Sequence, residues 1–146
     1  MKLASNSSAT TREGRLEQLR RDRAASRVIR EAFPEVRQLR IELKFEGSHP
    51  HMPTSQLHEL YPPARAFFAY PCPYAGCDGH YDLSAAVRAA IEGEPHVVDG
   101  MVECVGSRPR DPTSRQSCLL QLHYEVRALC EEKPRSRTRG RDAEAV

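Results

Sequence analysis

The sequence predicts an α+β fold: an antiparallel four-stranded sheet with two helices, in the order α-β-β-α-β-β, with a cysteine site at one end. Three observations lead there. Residues 36–46 alternate, with Leu39, Ile41, Leu43 and Phe45 on one side and Arg40, Glu42, Lys44 and Glu46 on the other, the pattern of a strand with one buried and one wet face. Helix-like and strand-like stretches follow one another without a repeated strand–helix–strand unit, which favours an antiparallel sheet with packed helices over a parallel one. Four of the five cysteines, Cys72, Cys77, Cys104 and Cys118, fall in a turn and on two facing strands.

With 146 residues, 39% of them hydrophobic and none Trp, the chain suits one domain with a modest core, which a metal or disulfides commonly supplement. The expected division is a disordered N-terminus over 1–10, a single zinc-stabilised domain over 11–130 and a basic disordered tail over 131–146. The net charge is only +2, so the total does not indicate a strongly basic nucleic-acid binder. Its distribution is uneven. Residues 1–46 hold 11 Lys/Arg against 7 Asp/Glu, residues 47–130 hold 6 against 9, and residues 131–146 hold 5 against 4. The residues after Lys2 are polar where a signal peptide would be apolar. No apolar run approaches the roughly 20 residues that span a bilayer. A cytoplasmic protein without membrane contact is therefore expected, and in that compartment clustered cysteines favour metal over disulfides.

Residues 11–33 read as one helix. Thr11 is its N-cap, Leu16, Leu19, Ala24, Val28, Ala32 and Phe33 recur at helical spacing, and Pro34 ends it. Its arginines are interleaved with Glu13, Glu17, Asp22 and Glu31, the composition of a solvated face. The first strand follows over 36–46. Residues 47–63, with His49, His51, His58 and four prolines, read as a long loop. A second strand is expected over 64–70, rich in aromatics. A short helix is expected over 83–92, capped by Asp82 or Ser84, with Leu83, Val87, Ala90 and Ile91 inward and Gly93 in a left-handed C-terminal position. Residues 101–107 and 117–129 then form a hairpin about a turn near Asp111-Pro112. Folding about position 111 sets Cys104 opposite Cys118 and Val102 opposite Leu120.

Cys72 and Cys77 have four residues between them in a Pro/Gly-rich turn, and Cys104 and Cys118 supply a second pair from rigid strands. Four thiolates so placed make a zinc-knuckle-like site at one end of the sheet, since structural zinc takes four such ligands in a tetrahedron. Over about residues 70–120 the layout resembles zinc-ribbon and related zinc-knuckle modules. It departs from them in enclosing a whole helix between the pairs and in placing a lone cysteine on each hairpin strand. Three other readings stay open: a Cys104–Cys118 disulfide, ordinary buried thiols, and a redox pair at Cys72 and Cys77. His80 is a substitute ligand if one cysteine is not used, and Cys130 is expected beyond the hairpin, outside the cluster.

The function these features point to is a small zinc-stabilised binding module contacting nucleic acid or a nucleoprotein complex. Phosphate contacts would come from Arg108, Arg110 and Arg115 in the hairpin and from Lys133, Arg135, Arg137, Arg139 and Arg141 in the tail. The alternatives are a protein–protein adaptor and, more distantly, a metal-dependent hydrolase or thiol redox protein. Asp78-Gly79-His80-Tyr81-Asp82 sets a base and two carboxylates beside the site, but a four-thiolate centre leaves no position for water. No nucleotide loop, metalloprotease helix or serine-nucleophile motif is present, and catalytic residues are not assigned.

Overall fold

The structure is a computed structural model that describes residues 11–46 and 54–131. The expected disorder at residues 1–10, the basic tail, His49 and His51 lie outside the described residues. The described chain runs α1 (Arg12–Ala25), α2 (Ile29–Ala32), β1 (Val36–Phe45), β2 (Ser55–Leu60), β3 (Ala69–Pro71), β4 (His80–Asp82), α3 (Ser84–Glu92), β5 (Val97–Glu103), β6 (Ser107–Asp111), β7 (Ser114–Ser117) and β8 (Gln121–Cys130). An antiparallel four-stranded sheet is present, as expected, in the order β2-β1-β8-β5. Its membership and the order of helices and strands differ from expectation.

β1 has the face its alternation demands: Leu39, Ile41 and Leu43 are fully buried and Phe45 nearly so. It lies in the middle of the sheet beside the last strand, with Ile41 opposite Val126 and Leu43 opposite Tyr124. α3 covers the same face with Ala86, Val87, Ala90 and Ile91. Its N-cap is Leu83, without a side-chain capping bond, rather than Asp82 or Ser84; Asp82, ending β4, accepts on Oδ1 from the Ser84 N–H at 3.0 Å and the Ser84 hydroxyl at 2.6 Å. Gly93 follows the helix in an extended conformation rather than a left-handed one. A Cβ there would lie 2.8 Å from the Ala89 carbonyl oxygen.

The single helix expected over 11–33 is two. Thr11 caps the first, accepting from the Gly14 N–H at 3.0 Å, but the chain turns extended at Ser26. Tertiary backbone pairing causes the break. Val28 bridges to Arg65, the Ile29 N–H donates to Ala64 O at 2.8 Å, and the Ala66 N–H donates to Arg27 O at 2.7 Å. The same bonds hold residues 64–66 out of the sheet, so the strand expected over 64–70 shrinks to β3, which pairs only with β4. The fourth strand of the sheet is instead β2, from the stretch read as a loop. Its register sets Ile41 opposite His58.

The last hairpin turns at Pro112-Thr113, between β6 and β7. Its register differs by two residues from expectation: Val102 lies opposite Leu122 and Ser107 opposite Ser117. Cys104 therefore faces Leu120, not Cys118, and its N–H donates to Leu120 O at 2.9 Å. A two-residue slip leaves every side chain on its original face, so both cysteines still point inward. No helix among the described residues is long and apolar enough to cross a membrane.

Candidate metal centre

Each of the four cysteines sits just beyond a strand end. Cys72 follows β3, Cys77 precedes β4, Cys104 follows β5 and Cys118 precedes β8 by a few residues. Their sulfurs converge where the main sheet meets the β3–β4 ribbon, and the β6–β7 hairpin folds over that end. All four Sγ atoms lie within 4.8 Å of one another, and none of the four residues is more than 4% exposed. Cys72 and Cys118 sulfurs are 3.8 Å apart and those of Cys77 and Cys104 are 3.6 Å apart. A tetrahedral ion with metal–sulfur bonds of about 2.3 Å requires sulfur–sulfur edges of about 3.8 Å. The cluster thus has the size of a four-thiolate metal site, assembled from the residues the sequence singled out.

The backbone is arranged to favour thiolates. Gly79 N–H donates to Cys77 Sγ at 3.3 Å and Gly106 N–H donates to Cys104 Sγ at 3.4 Å, two matching Cys-x-Gly turns. Among the side chains, hydrogen bonds from the Cys104 and Cys77 thiols pull the Cys72 thiol down to about 4. The bonds to Cys72 and Cys77 push the Cys104 thiol up. Four thiols in one buried space thus compete for protons, and a bound dication would let all of them deprotonate together.

The two glycines are needed for space. A Cβ on Gly79 would lie 2.3 Å from Cys104 Sγ and one on Gly106 would lie 2.4 Å from the Gly79 backbone. Gly76 carries the left-handed turn of the knuckle loop at φ 77°, with Pro109 of the hairpin so close that a Cβ would meet it at 2.7 Å.

The loop between Cys72 and Cys77 is braced from outside. One guanidinium nitrogen of Arg12 donates to Cys72 O, Tyr74 O (3.3 Å) and Cys77 O (3.2 Å). Arg15 Nε donates to Asp78 O at 3.0 Å. The Asp78 carboxylate accepts from the Ser107 N–H at 2.8 Å and from its hydroxyl at 3.4 Å, tying the loop to β6. Tyr81, fully buried, donates its hydroxyl to Leu120 O at 2.9 Å, and the Tyr81 hydroxyl oxygen lies 4.0 Å from Cys72 Sγ.

No protein-family model, curated protein or solved structure matches the chain.

The remaining residues singled out in the sequence fare differently. Arg115 is exposed, but donates to Gly76 O at 2.9 Å, Ser107 O at 2.7 Å and Ser107 Oγ at 2.9 Å. The Arg108 guanidinium lies 4.0 Å above the Tyr74 ring. Both clamp the hairpin to the knuckle loop. Arg110 is exposed at the hairpin tip, and Lys133, Arg135, Arg137, Arg139 and Arg141 lie outside the described residues. His80 stands in β4 opposite Pro71 and is not one of the four converging groups. Cys130 ends β8 opposite Val36, half-buried, rather than beyond the hairpin.

Gly106, Arg12 and Arg15 were missed, and Asp78 and Gly79 were read only as neighbours of the site, without their structural roles. The repeated Cys-x-Gly spacing, Cys77-Asp78-Gly79 and Cys104-Val105-Gly106, was a visible signal for the glycines. Nothing local in the sequence ties Arg12 to carbonyls some 60 positions away.

Proposed function

We propose that the chain is a zinc-stabilised, non-catalytic binding module. The carrying observation is the closed shell of four buried sulfurs at tetrahedral spacing. All-sulfur tetrahedral sites suit zinc among the common divalent ions, and four protein ligands leave no open position for substrate or water. The neighbouring carboxylates also have structural tasks: Asp78 braces β6 and Asp82 accepts from the Ser84 N–H at the first residue of α3.

Of the two partner classes, the surface beside the metal favours protein. Val105 is 87% exposed and Leu119 56% exposed, and each directly follows a sulfur ligand. Leu119 also holds φ at 56°, a conformation that costs about 1–2 kcal/mol for a residue with a side chain, and while its N–H donates to Cys104 O at 3.2 Å its side chain is left on the surface. Arg108 and Arg115, by contrast, are spent on internal contacts. Nucleic acid remains the second reading, on Arg110 and the five positive charges over 133–141.

Retention of single- and double-stranded DNA and RNA by the full-length protein separates the two. The adaptor reading expects none even at low salt. Retention that falls steeply with salt and weakens when residues 132–146 are removed would install the nucleic-acid reading, because phosphate contacts release counterions.

A further inference from the structure

Away from the metal, a cavity of about 290 Å³ opens between the C-terminal part of α1, the end of β2 and the segment leading into β3. Its floor carries an anomaly. Tyr70 is only 5% exposed, and its hydroxyl is buried with no hydrogen-bond partner among the described residues. Buried hydroxyls are nearly always paired. A phenol donates a hydrogen bond at neutral pH, and Arg23 lines the same cavity.

The walls are suited to a ligand rather than to closing the gap. The Arg23 guanidinium is held 5.0 Å over the face of Phe67, which pre-positions a cation at the cavity edge. His58 stacks on the Tyr70 ring with centroids 4.4 Å apart. Burial, and then Arg23, depress its basicity, so the positive charge of the site is that of arginine. Arg65 is turned to donate to Ser26 O at 2.7 Å. Leu60, Ala64 and Phe67 supply apolar lining. An apolar hollow with a few converging polar groups is the usual form of a small-molecule site, and the volume lies near the lower end of that class.

We propose that this cavity binds a small organic anion, its oxyanion seated between the Tyr70 hydroxyl and the Arg23 guanidinium and its apolar body along Leu60, Ala64 and Phe67. The site does not depend on which macromolecule the module binds.

The test uses the full-length, metal-loaded protein with phenyl phosphate, benzoate and uncharged benzyl alcohol as probes. Binding is followed through the ring resonances of Tyr70 and His58. Saturable shifts are expected with at least one anion and not with the alcohol. Tyr70→Phe should weaken that binding about tenfold or more, as loss of a hydrogen bond to a charged group does. Its metal content and melting temperature should not fall, because it deletes a hydroxyl that has no hydrogen-bond partner among the described residues. Arg23→Gln should weaken binding comparably. Absence of saturable shifts with either anion up to about 10 mM, equal affinity in the Tyr70→Phe protein, or equal binding of the alcohol would each overturn the proposal.

Discussion

Gly79→Ala is the sharpest test of how the metal centre is built. The new Cβ would stand 2.3 Å from Cys104 Sγ and 3.0 Å from both Cα and N of Gly106. Ordinary contacts of this kind sit near 3.5–4.0 Å, so the sulfur must retreat by more than about 1 Å. Metal–ligand distances tolerate only about 0.2 Å, and the facing Gly106 backbone leaves no room for the β4 side to yield. Overpacking of this sort costs about 1–3 kcal/mol. Charged against the metal-bound state, it corresponds to roughly a 5- to 150-fold loss of zinc affinity. A competition titration against a chromophoric chelator measures it. Gly100→Ala is the control: its Cβ would meet the Tyr124 hydroxyl at 2.5 Å, away from the sulfurs, so it should lower the melting temperature and leave affinity unchanged. Wild-type zinc affinity in Gly79→Ala, or an equal loss in Gly100→Ala, would refute the reasoning.

Other outcomes follow from the same contacts. Cys118→Ser should lose the metal and melt at lower temperature, and chelation of the wild type should lower its melting temperature too, because metal binding is part of the folding free energy; calorimetry with and without chelator checks both. Asp78→Ala should lower stability by about 1–3 kcal/mol by leaving the half-buried Ser107 N–H without an acceptor, whereas Asp78→Asn, which keeps an acceptor oxygen, should lose less; denaturant melts separate them. Arg12→Ala should release the carbonyls of Cys72, Tyr74 and Cys77 and speed zinc loss to a chelator, and an unchanged off-rate would show the brace to be idle. In native thiol labelling, half-buried Cys130 should react well before the four cysteines that are at most 4% exposed.

What was legible in the sequence was what depends on local pattern. The alternation of β1 and the inward set of β8 follow from period two, and the hairpin turn follows from Asp111-Pro112-Thr113. The four cysteines were legible because thiols in a turn and on neighbouring strand ends suit one chemistry. Residues whose placement rests on distant partners were not. β2 reads Ser-Gln-Leu-His-Glu-Leu, and its outward Leu57 and half-buried His58 reverse the usual polarity, as an edge strand permits. Helix α1 stops at Ala25 without proline or glycine, because the backbone of residues 62–66 takes the hydrogen bonds that helix continuation would have used. The register of the last hairpin differs by two residues because the chain turns at Pro112-Thr113, with an irregularity between Pro109 and Asp111, rather than about position 111. The same offset runs through both ladders, β6–β7 and β5–β8.

The central claim is that the four cysteines hold one zinc ion. The direct measurement is the mass of reduced, untagged protein under native and denaturing conditions, with elemental analysis of the same sample. One zinc per chain is expected, present in the native spectrum, absent after denaturation, and lost from Cys72→Ser. A native mass without metal, or one lighter by two hydrogens for each disulfide formed among Cys72, Cys77, Cys104 and Cys118, would contradict it.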